Sequence, residues 1–281
     1  MELLTNILIY GFLGFIQGIS EPIPISSSGH LVIFQNIFEK FGVDLVQASD
    51  ITFEVIVNTG SLVAILFYYR RDISILFKSF FGYLTKPNYR HVYQTNFNYC
   101  LLIILATIPA GIVGLLFSDV IEGAFNNPKM VGCNLILTAI LLLCVHKFGS
   151  CGVRSYREMT SVDALRIGIC QIFALLPGIS RSGATISAAM LGNMNQKSAR
   201  DFSFFLFIPV SVGAIILKLP DFFVSDNLSK LWLPYLIAFF ISMIVTFVAL
   251  KILFVILKKR KLNLFSYYCL AMGIISILFL G

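Results

Sequence analysis

Long apolar runs alternate along this chain with short polar segments. A membrane-crossing helix needs about 20 consecutive apolar residues, and six of the runs come close to that length. We predict one crossing helix in each of these runs: residues 52–69, 99–118, 130–148, 201–218, 231–255 and 264–280. The pattern therefore predicts an all-α, polytopic membrane protein.

Two further apolar stretches are interrupted by polar residues. Residues 4–38 are broken between 21 and 29, and residues 162–194 are broken between 177 and 183. The arms on either side are short, at about 11–17 residues, which favours re-entrant helical hairpins over full crossings. Irregular backbone at membrane depth is tolerated where protein or a water-filled cavity surrounds it, so both breaks are candidate sites.

The basic residues indicate how the helices are oriented. Lys and Arg concentrate in the loops that follow 52–69, 130–148 and 231–255, and beside the second hairpin. Such loops are typically cytoplasmic, and all of them fall on one side of the predicted arrangement. The first hairpin then starts and ends outside, and the second starts and ends inside. Each half of the chain is a hairpin plus three crossings, in opposite orientations.

A sequence match between the two breaks supports an inverted-topology repeat. At an offset of 154 positions, five residues of the first break recur in the second. The pairs are Gln17 and Gln171, Ile25 and Ile179, Ser26 and Ser180, Ser28 and Ser182, and Gly29 and Gly183. Repeats of this kind place broken helices near the membrane midplane, where they build a site. We predict one repeat over about 1–150 and the other over about 151–281.

Composition agrees with one membrane domain. Of 281 residues, 58% are hydrophobic and 12% are charged, whereas soluble domains carry about a quarter charged residues. The net charge of +7 follows from the basic loops and does not indicate nucleic-acid binding. The six cysteines show no CxxC spacing and are interpreted as small core residues. The N-terminus has neither a basic n-region nor a small-residue cleavage site, so we expect a retained membrane segment.

The first break offers carboxylate, amide, hydroxyl and imidazole groups. Gln17 and Glu21 lie four residues apart, so they share one helix face and suit a divalent cation or a base that orients water. An incidental polar pair on an exterior face is the alternative. Three serines precede a helix that starts near His30, which favours an anion site; capping explains only one of them. His30 is either a general acid/base or nucleophile, or a core histidine.

The second break carries an arginine between glycines. The planar donor fork of Arg181 suits phosphate, and Ser182 and Thr185 can donate hydroxyl hydrogen bonds. The alternative is a structural ion pair between Arg181 and a carboxylate such as Glu21 or Glu54. Glu54 itself is either a loop-edge carboxylate or part of a metal or hydrogen-bond network.

The two breaks together resemble a known family. Gln17 and Glu21 fit its motif of Glu or Gln followed four residues later by Glu. Residues 24–30 match Pro-x-Ser-Ser-x-Gly-His, and residues 177–185 match Pro-Gly-x-Ser-Arg-Ser-x-x-Thr. Weaker similarities at residues 53–55 and 202–209 extend the resemblance over most of the chain. The family is that of the integral-membrane undecaprenyl-diphosphate phosphatases, which are associated with bacitracin resistance.

The resemblance implies an activity and a location. The activity is removal of the terminal phosphate of undecaprenyl diphosphate, giving the monophosphate lipid carrier for peptidoglycan synthesis. The site would face the outer side of the bacterial plasma (inner) membrane, and it would depend on Mg²⁺ or Ca²⁺. Gln17 is a departure, because many members have Glu there, and it leaves one fewer carboxylate for the metal.

We therefore predict a phosphoryl-transfer site built on both breaks. In this hypothesis Ser27 attacks phosphorus and His30 accepts its proton, with attack by His30 or by water as alternatives. The predicted catalytic residues are Ser27, His30, Glu21 and Arg181. The predicted substrate-binding residues are Gln17, Ser26, Ser28, Gly178, Ser180, Ser182 and Thr185. The predicted metal ligands are Glu21 and Gln17.

A different function also fits the repeat. Inverted repeats with broken helices favour alternating access, so a transporter or flippase for an anionic lipid or solute is the rival hypothesis. Transport needs a cation that binds the substrate but has no need of a nucleophile. The expected partners are the lipid substrate and the membrane, without nucleic acid, and a homodimer is left open.

Overall fold

The apolar runs form twelve α-helices in the part of the chain that the computed structural model describes. That part comprises residues 2–42, 51–125, 127–149, 152–224, 226–258 and 262–280. In chain order, the helices are α1 (Glu2–Ser20), α2 (Ser27–Lys40), α3 (Ile51–Tyr68), α4 (Arg70–Thr85), α5 (Arg90–Leu116), α6 (Ser118–Ala124), α7 (Pro128–Phe148), α8 (Ser161–Phe173), α9 (Arg181–Leu191), α10 (Gln196–Val224), α11 (Asp226–Lys258) and α12 (Asn263–Phe279). Two 3₁₀ helices cover Pro87–Tyr89 and Tyr156–Glu158.

Within those residues, five helical segments are long and apolar enough to cross a membrane. They are Leu3–Ser20, Pro87–Leu116, Pro128–Phe148, Gln196–Pro220 and Lys230–Ile256. The last four contain most or all of the predicted crossings at 99–118, 130–148, 201–218 and 231–255. The prediction of an all-α, multi-pass membrane protein is confirmed.

The remaining predicted segments differ in detail from the expectation. The crossing at 52–69 corresponds to α3, which bends by 77° into α4. The crossing at 264–280 corresponds to α12, which is apolar but only 17 residues long. Helix α1 has 19 residues and is longer than the short hairpin arm expected, because no helix breaker occurs before Pro22.

Both interrupted stretches form helical hairpins. Helix α1 packs on α2 around the first break, and α8 packs on α9 around the second. Each break ends at a serine N-cap: Ser26 Oγ accepts a hydrogen bond from Gly29 N at 3.2 Å, and Ser180 Oγ accepts one from Gly183 N at 3.1 Å. The two caps are the residues that the 154-residue offset pairs.

The helix contacts follow a pseudo-twofold exchange of the two halves. In this exchange α1 corresponds to α8, α3 to α10, and α11 to α5. Helices α1 and α3 both pack on α11, and their counterparts α8 and α10 both pack on α5. A Cβ added to Gly14 would lie 2.5 Å from the Ala238 carbonyl oxygen, and one added to Gly168 would lie 2.5 Å from that of Ala106. Gly14 and Gly168 again differ by 154. The division at about residue 150 stays a prediction, since residues 150–151 lie outside the described part.

Polar side chains face inward between the helices, while many apolar side chains face outward. Ser61 Oγ on α3 lies 3.0 Å from Ser242 Oγ and 2.8 Å from Thr246 Oγ1 on α11. Leu116 and Phe279 are 72% and 68% exposed, as expected for side chains that face lipid. Hydroxyl pairs of this kind hold helices together where the surroundings are as apolar as the core.

Candidate active site

The two breaks meet at one cavity of about 230 Å³. Helices α1, α2, α3, α9 and α10, the two breaks and Phe125 contribute its walls. Its polar lining comprises Gln17, Ser20, Glu21, Ser26, Ser27, Ser28, Glu54, Asn58, Ser180, Arg181, Ser182 and Ser211. Most of the predicted site residues are therefore brought together, although the two hairpins are far apart in the sequence.

Glu21 is the centre of the polar contacts in this cavity. Its Oε2 accepts hydrogen bonds from Gln17 Nε2 at 2.9 Å and from Ser27 Oγ at 2.6 Å. Its Oε1 forms an ion pair with Arg181 of the second hairpin. The carboxylate is buried, so this pair neutralises two charges that would be costly to leave alone in the membrane.

Arg181 lies at the first turn of α9, between a carboxylate and an aromatic ring. Its guanidinium carbon is 3.7 Å from the ring centroid of Phe207 on α10. A cation over the face of an aromatic ring is attracted by the ring quadrupole. Phe207 thus holds the plane of the donor fork beside the cavity, a role that the sequence did not reveal.

The backbone of the two breaks is in direct contact. Ser26 has a positive φ of 71°, and its Oγ accepts hydrogen bonds from the N–H groups of Gly29 and Gly178, both at 3.2 Å. Gly178 has a φ of 94°, and a Cβ there would lie 2.5 Å from the Val131 carbonyl oxygen. Glycine is therefore required at 178 both for conformation and for space.

Helix α7 supports the second break through two polar side chains. Asn134 Nδ2 donates to the Pro177 carbonyl at 2.8 Å, and Thr138 Oγ1 donates to the Gly178 carbonyl at 3.0 Å. Thr138 Oγ1 also accepts from Ser180 N at 3.1 Å. Neither residue was predicted from the sequence to take part in the site. The available signal was a polar pair four residues apart in an otherwise apolar helix.

The structure does not bring His30 to the hydroxyl of Ser27. Nδ1 of His30 lies 2.7 Å from the Ser26 carbonyl oxygen, and Nε2 lies 2.8 Å from the Tyr268 hydroxyl. Since a carbonyl only accepts, we assign the proton to Nδ1, and the Tyr268 hydroxyl then donates to Nε2. Both nitrogens are engaged, and His30 is not part of the cavity lining. Tyr268 is 238 residues away along the chain, so this contact could not be predicted from sequence spacing.

Thr185 also lies away from the cavity. Its Oγ1 donates to the Arg181 carbonyl at 2.9 Å and lies 2.6 Å from Ser203 Oγ on α10. The hydroxyl is buried and engaged within the helix packing, so in this arrangement it supports α9 and does not point to a ligand. Gly178, another predicted binding residue, contributes its N–H to Ser26.

Oxygen atoms suited to a hard divalent cation are present in the cavity. The carboxylates of Glu21 and Glu54 both line it, and the buried Oε1 of Gln17 has no hydrogen-bond partner. No cluster of three or more His, Cys, Asp or Glu side chains occurs in the described part of the chain. Mg²⁺ is usually held by one or two carboxylates together with substrate phosphates, and these residues fit that mode.

Comparison with known proteins gives a consistent match over almost the whole chain. The family model described as bacitracin resistance protein BacA matches residues 10–275. Undecaprenyl-diphosphatase 3 of Bacillus anthracis is 41% identical over 281 residues, which is all of both chains. The undecaprenyl-diphosphatase of Oceanobacillus iheyensis is 41% identical over 278 residues, covering 98% of this chain and 97% of the relative.

Proposed function

Because this chain belongs to the BacA family of bacitracin resistance proteins, we propose that the cavity between its hairpins is the active site of a membrane phosphatase. The protein removes the terminal phosphate of undecaprenyl diphosphate and leaves undecaprenyl phosphate. The observation that carries this proposal is the contact of Ser27 with Glu21, beside Arg181, in one cavity. A transporter would need the arginine to bind an anionic substrate, but it would not need a hydroxyl that donates a hydrogen bond to a carboxylate.

Binding of the substrate depends on the two hairpin breaks. The donor fork of Arg181 takes the terminal phosphate, and in doing so it exchanges Glu21 for a phosphate oxygen. The N-termini of α2 and α9 add backbone N–H groups and favourable helix dipoles. Hydroxyl groups from both breaks complete the anion site: Ser26, Ser28, Ser180 and Ser182.

The nucleophile in this mechanism is Ser27. Its Oγ already donates to Glu21 Oε2 at 2.6 Å, so Glu21 is the acceptor in place when Oγ attacks the terminal phosphorus. The bond from that phosphorus to the bridging oxygen breaks, and undecaprenyl phosphate leaves. Water then attacks the phosphoserine, releases orthophosphate and returns Ser27. His30, predicted as the base, instead holds the Ser26 carbonyl and so positions the start of α2.

A divalent cation, Mg²⁺ or Ca²⁺, is part of the proposal. Glu21, Glu54 and Oε1 of Gln17 are the residues that would hold it. When bound there, a divalent cation would supply neutralisation of the negative charge on the phosphates, on which phosphoryl transfer depends. Glu54 would supply a second carboxylate beside that of Glu21.

The protein is a multi-pass membrane protein, and we place its active site towards the outer side of the plasma membrane. In support, two lining residues, Glu54 and Phe125, lie near helix ends that we predict to be outside from the positions of the basic loops. A homodimer stays a prediction.

The test is phosphate release from undecaprenyl diphosphate by the purified protein in detergent, with Mg²⁺ or with a chelator. We expect metal-dependent turnover that falls by roughly 10³-fold or more in Ser27→Ala. Acid quenching should trap phosphoserine in the wild type and none in Ser27→Ala. The control is Ser118→Ala, because the Ser118 hydroxyl donates to Asp119 at 3.2 Å and does not line the cavity. Near-wild-type turnover in Ser27→Ala would exclude the serine mechanism, and no turnover by folded wild type would favour the transporter.

A further inference from the structure

A second cavity, of about 280 Å³, adjoins the polar one. It is a groove between α3 and α10 with α11 as its floor, and we call it the α3–α10 groove. Its lining consists of Val55, Ile56, Thr59, Ile215, Leu219 and Phe239. Val55 lines both cavities, so the groove begins where the polar site ends.

The walls of the two cavities are continuous along α10. Ser211 and Ala214 line the polar cavity, and Ile215 and Leu219, up to two turns further along, line the groove. On α3, Asn58 lines the polar cavity and the adjacent Thr59 lines the groove. The surface therefore changes from polar to apolar within about one helical turn on both walls.

Among the lining residues that the structure describes, no unused polar side chain faces a ligand. Their single hydroxyl, that of Thr59, donates to the Val55 carbonyl at 2.7 Å. The floor is fixed by close backbone packing, because a Cβ added to Gly60 would lie 2.5 Å from the Phe239 carbonyl oxygen. A rigid groove lined by carbon suits an apolar chain, which packs against it through van der Waals contacts in place of lipid.

From this continuity we infer that the α3–α10 groove binds the isoprene units next to the diphosphate of the substrate. This inference rests on the proposed function. With the diphosphate between the two hairpins, the chain leaves past Val55, lies over Phe239 and passes between α3 and α10 into the lipid. Only the units closest to the diphosphate contact the groove, and the rest of the chain lies in the bilayer.

The experiment fills the groove and compares two neighbouring residues. Ile215→Trp places an indole in the groove, whereas Ile216→Trp places it at a side chain that is 63% exposed and outside the lining. For both variants we would measure KM for undecaprenyl diphosphate in mixed micelles and the competitive inhibition constant of inorganic pyrophosphate. Pyrophosphate has no chain and therefore reports on the diphosphate site alone.

We expect Ile215→Trp to raise KM for undecaprenyl diphosphate by roughly tenfold or more, because the indole occupies the space that the isoprene units need. The inhibition constant of pyrophosphate should not change, and Ile216→Trp should match wild type in both measurements. An unchanged KM in Ile215→Trp, or equal changes in the two variants, would overturn the inference and leave the phosphatase intact. Absence of wild-type turnover would instead contradict the proposed function.

A second variant covers the case in which Ile215→Trp also weakens pyrophosphate inhibition, as it would if the bulky ring disturbed the polar cavity. Leu219→Trp fills the groove one turn further from the diphosphate site. A raised KM with unchanged pyrophosphate inhibition in Leu219→Trp supports the inference. An unchanged KM in that variant shows that the chain takes another path.

Discussion

At the residue scale, one carboxylate joins the parts of the site. Glu21 receives hydrogen bonds from Gln17 and Ser27 of its own hairpin and an ion pair from Arg181 of the other. Its two oxygens thus set the distance between the nucleophile and the phosphate-binding arginine. Both hairpins contribute to the reaction only when this carboxylate is in place.

The first prediction concerns the planar guanidinium group of Arg181. Arg181→Lys keeps the charge but loses the planar fork, which donates to Glu21 while it stacks on Phe207. We expect kcat/KM to fall by about 10- to 150-fold, the equivalent of one charge-assisted hydrogen bond. Steady-state phosphate release measures this.

The matched control is Arg200→Lys. Arg200 lies 3.9 Å above the Phe254 ring and pairs with Asp201 at 2.7 Å, so it has the same kinds of neighbours without lining the active-site cavity. Its substitution should change kcat/KM by no more than about twofold. Equal losses in the two variants would mean that Arg181 has only a structural role.

Sequence reasoning could name the chemistry of these residues but not their contacts. Glu21, Ser27 and Arg181 stand out because ionisable and hydroxyl groups are costly in apolar surroundings. Which atoms come into contact depends on the directions of the side chains and on the packing of the two hairpins, whose residues Glu21 and Arg181 are 160 positions apart. His30 is an example of a contact that could not be predicted. It lies about one helical turn beyond the first serine, and at that position its ring contacts the Ser26 carbonyl and Tyr268.

At the scale of single elements, α7 determines the shape of the second break. The sequence predicts a crossing at 130–148 but gives it no part in the site. Asn134 and Thr138 bond to carbonyls of the second break, at Pro177 and Gly178, between helices α8 and α9. Such partners can be recognised only once the path of the break is known.

The second prediction tests this support. Thr138→Val preserves the side-chain volume and removes the hydroxyl that joins the Gly178 carbonyl to Ser180 N. We expect the free energy of unfolding to fall by about 1–3 kcal/mol, and kcat/KM to fall with it because Arg181 follows Ser180. Unfolding in detergent and phosphate release measure the two effects.

Two further variants make this test specific. Thr138→Ser keeps the hydroxyl and should recover most of kcat/KM. Thr107→Val is the matched control, because the Thr107 hydroxyl donates to the Ile103 carbonyl of its own helix at 2.8 Å; its unfolding free energy should change by less than about 0.5 kcal/mol. If Thr138→Ser were as impaired as Thr138→Val, the hydroxyl would not be the cause.

At the scale of the whole molecule, the inverted repeat was accessible to sequence reasoning because hydropathy, charge and the 154-residue offset agreed. The 77° bend between α3 and α4 was not, since hydropathy identifies apolar residues but not the angles between consecutive helices. The α3–α10 groove also depends on a packing of helices distant in the chain. Spacing alone gives no information on such surfaces.

The third prediction uses the repeat itself. Gly14→Ala and Gly168→Ala each place a methyl group 2.5 Å from a backbone carbonyl oxygen of the packed helix. We expect each to lower the free energy of unfolding by about 1–3 kcal/mol. The controls are Gly111→Ala and Gly213→Ala, where a Cβ meets nothing within 4 Å. In these two variants the free energy of unfolding should stay the same or rise by about 0.5–1 kcal/mol. A loss of stability in only one of Gly14→Ala and Gly168→Ala would contradict equivalent packing of the two helices.

The ion pair between Glu21 and Arg181 also has a consequence for biogenesis. The ribosome makes Glu21 160 residues before Arg181, which at about 5–20 residues per second is a delay of roughly 8–30 s. During that time the first hairpin is present without the guanidinium that neutralises its carboxylate. The active site would then form late, when the two hairpins dock, and not when either one enters the membrane.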